Sequence, residues 1–406
     1  MRNITLITTG QPATNPRLVK EADFLSGLGY NVKVIYCFYQ PWAQQLDESI
    51  INQNPGMYIS QGGDPVKSKF TYYKTRLRQK LCQIFFSYFK GWGIPENAIS
   101  RTHSEALKAA KKIKTDLYIA HNLGALPAAV LAAKYMGCKI GYDAEDMHSA
   151  QFNDVSMMYL LNKYIEVKYF NRTDYFTAAS PLIAANYRKA YPSLQPQVIN
   201  NVFPKIKSPF NTSRKTTNIV KLFWFSQTIG ADRGLENIVA AMGEAPATEL
   251  HLLGSCTAGY KATLLDIAIK TNVQPTRIIY HPPIPPDELM AFAAQFDIGM
   301  ASETGSTLNR EICLTNKIFT YLQSGLAIIA SDTQAQSLFL SEYPAAGKLY
   351  QKNSTKSLAN CLNEYLQNPE ALYQTRLGNY QLGQTELNWE TESHKFGDII
   401  TNTFQA

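Results

Sequence analysis

The chain has 406 residues, more than one ordinary hydrophobic core supports, so we expect two domains. Hydrophobic residues make up 45% of the sequence and charged residues 17%, a composition that excludes a disordered protein. No apolar run is long enough to span a bilayer. Met1, Arg2 and Asn3 lead directly into a β-branched run, so we expect no signal peptide and a cytoplasmic protein.

The six cysteines are widely scattered, and no two of them form a C-x-x-C pair. This spacing fits neither a disulfide framework nor a set of metal ligands. We therefore expect reduced thiols and no bound metal.

The positive charge is concentrated in one segment, residues 66–92. The net charge is +7, and the stretch from Pro65 to Gly91 holds seven bases, seven aromatic residues and no acid. Such a segment favours contact with an anionic membrane surface, as in a protein peripheral to the inner face of the cytoplasmic membrane. The alternative is an ordinary helix with a solvated basic face and a buried aromatic face. Nucleic acid is not expected as a partner, because the remaining charges balance.

Short β-branched or aromatic runs alternate with helical patterns through the first half of the chain. The predicted strands are Ile4–Thr8, Val32–Phe38, Leu117–Ala120, Lys139–Tyr142, Tyr175–Ala179 and Val198–Ile199. Longer helical patterns separate them, which predicts an α/β fold with a parallel sheet covered by helices on both faces.

A second series of the same kind follows a stretch rich in proline, lysine, serine and threonine. Its predicted strands are Val220–Phe225, Glu249–Leu253, Arg277–His281, Ile298–Ala301, Ala327–Ala330 and Lys348–Tyr350. We therefore predict a first domain at 1–203, a linker at 204–218, a second domain at 219–388 and a closing helix at 389–406. Two Rossmann-like, doubly wound domains in tandem are expected to face one another across a cleft, with ligands at the carboxyl ends of their strands.

Three loops of the first domain follow predicted strands and carry candidate binding groups. Gly10 permits close approach of the backbone, and His121 is placed to face the cleft and exchange a proton near neutral pH. Asp143, Glu145 and Asp146 carry carboxylates that could accept hydrogen bonds from the hydroxyl groups of an acceptor substrate. The alternatives are a plain turn, a structural histidine, and acids that favour a helix N-terminus.

Two segments of the second domain are suited to an anion. The loop containing Gln227, Thr228 and Arg233 leads into a helix and offers a guanidinium group with the geometry to bind phosphate. Asn316 is expected to cap a later helix, and Lys317 adds a cation to its first turn. A lysine there opposes the helix dipole, which is understandable if a phosphate binds beside it. The alternatives are an ordinary strand-to-helix turn and a solvated arginine.

These motifs resemble the GT-B glycosyltransferases, and in particular the retaining family 4 enzymes of bacterial cell-surface polysaccharide synthesis. The resemblance rests on the Gly10 loop, the strand-end His121, the Val198–Val202 stretch before the linker, Arg233-Gly234, and the Asn316-Lys317 motif that continues through Tyr321 to Gly325. The last is similar to an N-K-x-x-x-Y-x-x-x-G variant of the family. It is the most specific of these matches.

Two positions depart from the family pattern. Gln227 stands where members commonly carry an arginine, and Thr320 stands where they carry the second of two glutamates. Glu311 aligns with the first glutamate after a shift of one residue. The resemblance therefore leaves recognition of the donor's ribose without its usual carboxylate, and Asn316 is a candidate substitute.

The resemblance implies a hexosyl- or related glycosyltransferase that moves a sugar from a nucleoside diphosphate sugar to an acceptor hydroxyl, with retention of configuration and no separate cofactor. Arg233, Lys317, Asn316, Gln227, Thr228 and Gly10 would bind the donor diphosphate, Glu311, His121 and Glu145 would serve catalysis, and Asp143 and Asp146 would lie on the acceptor side. The acceptor would be a glycan or a lipid-linked glycan. The alternatives are a sugar-nucleotide epimerase of the same fold and a non-catalytic protein that binds nucleotide sugars.

Overall fold

The structure of the protein is a computed structural model that describes residues 1–208, 210 and 219–405. The predicted linker, 204–218, lies in large part outside these residues. The chain divides into two compact units. Unit 1 comprises Met1–Asn200 and Ser393–Ala406, and unit 2 comprises Asn201–Glu392.

Unit 1 contains a parallel sheet in the order β3-β2-β1-β4-β5-β6-β7. Its strands are β1 (Asn3–Thr8), β2 (Asn31–Cys37), β3 (Tyr58–Gln61), β4 (Leu117–His121), β5 (Lys139–Ala144), β6 (Tyr175–Ala178) and β7 (Gln197–Val198). Every residue of β4 is buried, as expected for a central strand covered on both faces. The weakly patterned β3 was missed in the sequence, and the other strands lie within a few residues of their predicted bounds.

The helices of unit 1 include α1 (Pro16–Gly27), α2 (Gln44–Gln53), α3 (Lys69–Phe86), α4 (Ile94–Ile99), α5 (His103–Ala110), α6 (Leu126–Met136), α7 (Met157–Tyr169) and α8 (Pro181–Ala190). Helix α1 begins as its sequence predicts, because Asn15 accepts a hydrogen bond from the Leu18 backbone and Pro16 takes the first helical position.

Unit 2 repeats this arrangement with a parallel sheet in the order β10-β9-β8-β11-β12-β13. Its strands are β8 (Val220–Ile229), β9 (Thr248–Cys256), β10 (Ile278–His281), β11 (Ile298–Ala301), β12 (Ala327–Ser331) and β13 (Gly347–Tyr350). The core contains Trp224, Leu252 and Ile329, all fully buried. Strand β8 continues four residues past its predicted end.

The helices of unit 2 include α9 (Leu235–Ala241), α10 (Ala258–Lys270), α11 (Leu289–Ala293), α12 (Leu308–Ile312), α13 (Asn316–Gln323), α14 (Gln334–Glu342), α15 (Thr355–Gln367) and α16 (Pro369–Thr385). Helix α17 (Trp389–Gln405) begins in unit 2 and ends in unit 1. Among the described residues, no helix is both long enough and apolar enough to cross a membrane.

In each unit the strand that comes first in the chain lies beside the strand that comes fourth, so the direction in which strands are added to the sheet reverses between these two. These reversals fall between β1 and β4 in unit 1, and between β8 and β11 in unit 2. Ligands of open α/β sheets bind where such a reversal leaves a crevice at the carboxyl ends of the strands. The two crevices are therefore the places to look for binding groups.

Candidate functional site

Unit 1 has a cavity of about 360 Å³ at the crevice between β1 and β4. Most of its wall comes from the segments that follow β1, β4 and β5, together with α7, and Tyr39 after β2 and Ile99 of α4 complete it. The lining consists of Thr8, Thr9, Gly10, Thr14, Asn15, Tyr39, Ile99, Asn122, Leu123, Gly124, Glu145, Asp146, His148, Gln151, Phe152, Met158 and Asn162. Many of these residues carry hydroxyl, amide or carboxylate groups, and apolar side chains lie among them, a mixture that suits a ligand rich in hydroxyl groups.

Gly10 lies in this wall at a position where a side chain would not fit. A Cβ atom there would approach the Thr14 hydroxyl to 2.8 Å. The Gly10 backbone amide donates to the Thr8 hydroxyl, and its carbonyl accepts from the Cys37 amide. The backbone of the first loop is thus held close to the end of β1.

His121 lies beneath the cavity rather than in its wall. Its side chain is fully buried, with Nε2 3.1 Å from Glu21 and Nδ1 3.5 Å from Asp143. Burial opposes protonation, but the carboxylates of Glu21, Glu145 and Asp143 outweigh it and raise the pKa of His121 to about 10. The expectation of a histidine that faces the cleft and titrates near neutral pH is therefore wrong.

Asp143 is also withdrawn from the cavity. Both of its carboxylate oxygens accept hydrogen bonds from Arg17 at 2.7 Å, and Oδ1 accepts a further one from Thr177. Burial opposes ionisation, but Arg17 and His121 overcome it and lower the pKa of Asp143. Its expected place on the acceptor side is wrong, because β5 continues through Asp143 and turns its carboxylate into the core.

Glu21, His121 and Asp143 form one group in the described chain whose donor atoms lie close enough together for a metal ion, all within 4.8 Å. Arg17 occupies both oxygens of Asp143 and lies 3.4 Å from Glu21. A divalent cation would therefore meet a buried guanidinium group among its ligands. The group fits a network of ion pairs and not a metal centre.

Glu145 and Asp146 both line the cavity. Oε1 of Glu145 accepts a hydrogen bond of 2.7 Å from Asn15 and lies 3.7 Å from Nδ1 of His121. Asp146 accepts from Gln151 through its carboxylate and from Tyr187 through its carbonyl. The buried cation of His121 thus holds Glu145 from below while the carboxylate lines the cavity.

Three segments of unit 2 meet at the crevice between β8 and β11. The Ser302 hydroxyl donates to the Arg233 carbonyl at 2.8 Å, and the Glu303 amide donates to the hydroxyl of Ser331. A Cβ atom on Gly234 would come within 3.1 Å of Ser302, so the glycine permits this close packing. The loop carrying Arg233 therefore lies against the end of β11.

Lys317 belongs to the same group of residues. Its Nζ donates to Oε1 of Glu303 at 2.8 Å, and both side chains are nearly buried. Arg310 lies 3.8 Å from the other oxygen of Glu303 and donates to the Asp232 carbonyl at 2.9 Å. Glu303 thus lies between two cations, and it fixes the positions of both side chains beside the end of β11.

Asn316 is the first residue of α13, and Thr315 before it takes the cap position. No side-chain hydrogen bond caps this helix. The expected capping by Asn316 is therefore wrong. The backbone N–H groups at the start of α13 lie beside Lys317, in the arrangement that attracts anions to a helix N-terminus.

Glu311 lies in α12, a short helix between β11 and α13. Its Oε1 pairs with Lys352, and its Oε2 accepts from the Gln334 backbone. Gln227 and Thr228 are exposed residues of β8, which pairs with β9 through a register shift. They extend a strand where a loop was predicted.

The sequence did not single out Arg310, Asp232, Lys352, Asn15 or His148. Asp232 and Asn122 have positive φ angles of 61° and 67°, a conformation that only asparagine and aspartate adopt with some ease among residues with a side chain. An asparagine close behind a predicted strand is the signal that could have drawn attention to Asn122. Arg310 and Lys352 carry no comparable signal.

No protein-family model matches the chain, and no curated protein sequence matches it significantly. Solved structures do match it in fold. HepE from Anabaena, solved with UDP and glucose, has a TM-score of 0.71 and 13% identity over 99% of this chain and 100% of its own. Sucrose-phosphate synthase from Thermosynechococcus elongatus has a TM-score of 0.66 and 13% identity, with 100% of both chains covered.

TarM from S. aureus, solved with fondaparinux, α-GlcNAc-glycerol and UDP, has a TM-score of 0.68 and 9% identity over the whole of both chains. These identities are low, and the similarity is one of fold. Two parallel sheets with the strand order described above, and matches that span whole GT-B glycosyltransferases, confirm the predicted architecture. The chain has the GT-B fold.

Proposed function

We propose that this chain is a glycosyltransferase that moves a sugar from a nucleoside diphosphate sugar to a hydroxyl group of a glycan. The observation that carries the proposal is that the Arg233 backbone, Arg310, Lys317 and the start of α13 meet at the crevice of the second sheet. HepE and TarM, which share the fold, were each solved with UDP. A diphosphate is the anion that suits this group.

The cations would act on the leaving group. Negative charge accumulates on the nucleoside diphosphate as its bond to the sugar breaks, and donors fixed in place before the reaction stabilise that charge most effectively. Lys317 is held by Glu303, and the Arg233 backbone is held by Ser302. Glu311 would lie towards the transferred sugar, with Gln227, Thr228 and Asn316 as further donor contacts.

The acceptor would bind in the cavity of unit 1. Glu145 and Asp146 present carboxylates that can accept hydrogen bonds from sugar hydroxyls, and Thr9, Asn122 and Gln151 add neutral polar groups. The finer proposals are retention of configuration, a role in bacterial cell-surface polysaccharide synthesis, a lipid-linked acceptor, and a cytoplasmic enzyme peripheral to an anionic membrane. The resemblance to family 4 enzymes supports retention and the role in polysaccharide synthesis. The basic and aromatic residues of 66–92 support the lipid-linked acceptor and the place at the membrane.

Substitution of the diphosphate cations tests the proposal. We expect Arg233→Ala and Lys317→Ala each to lower turnover at least ~10²-fold, the loss typical for a main transition-state donor. Release of nucleoside diphosphate from a panel of nucleotide sugars, with and without glycan acceptors, measures this. Lys270→Ala removes an exposed lysine that pairs with Asp266 in the same unit, and serves as the control.

The same panel separates the alternatives. An epimerase would convert the donor sugar without any acceptor, and a non-catalytic protein would bind nucleotide sugars without turnover. Activity close to that of the native chain in both alanine variants would overturn the placement of the diphosphate. A product whose linkage has inverted configuration would overturn the proposed retention.

A further inference from the structure

Helix α3 presents its apolar side chains to solvent. Phe70, Tyr73, Leu77, Leu81 and Ile84 follow one another at spacings of three or four residues, which places them on one side of the helix. Their exposed fractions range from 45% to 81%. Beyond the helix, Tyr88 and Trp92 are 85% and 94% exposed. We call these seven residues the α3 stripe.

The opposite side of α3 is attached to unit 1 by polar contacts. Arg78 pairs with Glu105, Gln79 and Gln83 donate to backbone carbonyls of α4, and the buried Thr75 hydroxyl accepts from Arg101. Tyr72 and Phe86 also pack on this side, against Phe38 and Tyr164, so α3 carries apolar side chains on both its attached and its exposed sides. The sequence-based alternative of a buried aromatic face and a solvated basic face does not hold for the α3 stripe.

Basic side chains lie beside and within the α3 stripe. Lys69, Lys74, Arg76 and Lys80 are exposed, and no acid occurs between Asp64 and Glu96. Arg78, in contrast, is engaged with Glu105 and is not part of this surface. The surface thus combines aromatic and aliphatic groups with a local excess of positive charge that nothing on α3 neutralises.

We propose that the α3 stripe docks on an anionic lipid bilayer, with its apolar side chains at the boundary between headgroups and acyl chains and the lysines against the headgroups. Exposed aromatic groups favour that boundary, and each basic side chain near an anionic surface is attracted to it. This inference extends the proposed function, because a lipid-linked acceptor would be met at the same surface.

A second copy of the chain fits the α3 stripe less well. Pairing two such surfaces would bring Lys69, Lys74, Arg76 and Lys80 of each copy close to their counterparts with no acid between them. Like charges brought together at an interface weaken it. An anionic bilayer instead supplies both the apolar phase and the opposite charge.

Vesicle flotation tests the inference directly. We expect the native chain to bind vesicles of phosphatidylcholine containing a third phosphatidylglycerol, and not vesicles of phosphatidylcholine alone. Added salt should weaken binding by screening the headgroup charge. The triple variant Lys69→Gln, Lys74→Gln and Lys80→Gln should bind at least ~10-fold more weakly. Leu77→Gln with Ile84→Gln should also lower binding at least ~10-fold, since both substitutions remove aliphatic groups that the bilayer would bury.

Two matched controls distinguish the α3 stripe from the rest of unit 1. Lys108→Gln, Lys112→Gln and Lys114→Gln remove three exposed lysines elsewhere, and Leu160→Gln with Val167→Gln remove two exposed aliphatic groups on α7. Both control variants should bind vesicles as the native chain does. All of the substituted positions are exposed, so circular dichroism should show native folding throughout.

Three results would overturn the inference. The first is that the native chain does not bind anionic vesicles. The second is that the α3 variants bind them as well as the native chain does. The third is a native dimer that Leu77→Gln with Ile84→Gln converts to a monomer while no vesicle binding occurs. The proposed function is judged separately, from turnover of the α3 variants with a water-soluble acceptor, which should match the native rate. Vesicle binding without any transferase activity would contradict the proposed function but would still support the α3 stripe as a docking surface.

Discussion

At the scale of single residues, His121 links the folding of unit 1 to pH. Its imidazole is surrounded by Glu21 and Arg17 from α1 and by Asp143 and Glu145 from the β5 segment. The pKa of His121 is raised to about 10 in the folded chain, against an ordinary value of 6.5. Its proton is therefore bound more tightly in the folded state than in the unfolded state.

We therefore expect the stabilising effect of His121 to be complete below pH 6.5, to decline as the pH rises from there, and to be lost as the pH passes about 10. Between these values the folded chain holds a proton that the unfolded chain releases, so raising the pH favours unfolding. Denaturant unfolding of the native chain and of His121→Gln measures this. The difference in free energy of unfolding should narrow between pH 6.5 and pH 10.

The exposed His394 offers a control in the same unit. His394→Gln should track the native chain at every pH. NMR of the histidine ring nitrogens provides an independent reading, because both nitrogens of His121 should stay protonated well above neutral pH. A difference between the native chain and His121→Gln that stays constant with pH would contradict the assignment.

Members of the family commonly carry an arginine at the position of Gln227, and we expect Arg310 to take over the role of that arginine in this chain. It bridges the Asp232 loop and Glu303, which itself holds Lys317. Hydrogen bonds from Thr304 and Ser306 lower the pKa of Asp232, which keeps that loop anionic and attached to Arg310. Arg310 is thereby fixed next to the loop that carries Arg233 and shares Glu303 with Lys317.

Arg310→Gln should weaken binding of UDP by roughly 10-fold or more, the effect of losing a hydrogen bond to a charged group. Uridine, which has no phosphate, should bind both chains equally, whereas a merely structural role would weaken both ligands. Arg310→Lys should recover part of the loss, and Lys270→Gln should cause none. Isothermal titration calorimetry measures the affinities of the native chain and of these three variants. Equal UDP affinity for the native chain and Arg310→Gln would refute this role.

At the scale of secondary-structure elements, the sequence predicted the strands well and the strand ends poorly. The central strands are buried on both faces, so runs such as Leu117–Ala120 and Ile298–Ala301 consist of apolar or small residues with clear boundaries. Strand ends carry polar residues whether they continue in the sheet or leave it. The sequence therefore could not show that β5 continues through Asp143, or that β8 continues through Gln227 and Thr228.

The same limit explains which site residues were predictable. Arg233-Gly234 and Lys317 stand in motifs with a local pattern, so their placement at one crevice follows from the order of the strands. The burial of His121 depends on Glu21 and Arg17, which belong to a helix a hundred residues earlier in the chain. No periodicity in the sequence reports such a pairing of distant charges.

At the scale of the whole molecule, the chain ends in the unit where it began. Helix α17 follows the second sheet in sequence, yet Phe396 packs against Phe24 with ring centroids 6.2 Å apart, and Phe404 lies 5.9 Å from Tyr30. The Arg2 guanidinium lies 4.1 Å from the Phe404 ring. Phe396 and Ile400 are almost completely buried. The end of α17 thus completes the core of unit 1.

Phe396→Ala should therefore destabilise unit 1 and spare unit 2, although residue 396 follows unit 2 in the sequence. Loss of a buried phenylalanine typically costs 3–5 kcal/mol, so backbone amides of α1, β1 and β2 should exchange with deuterium much faster. Amides of β8, β11 and β12 should exchange as in the native chain. Thr401→Ala, at an exposed position of the same helix, is the control. Mass spectrometry of the exchanged peptides measures both units at once, and equal acceleration in the two sheets would show that α17 stabilises the molecule as a whole and not unit 1 alone.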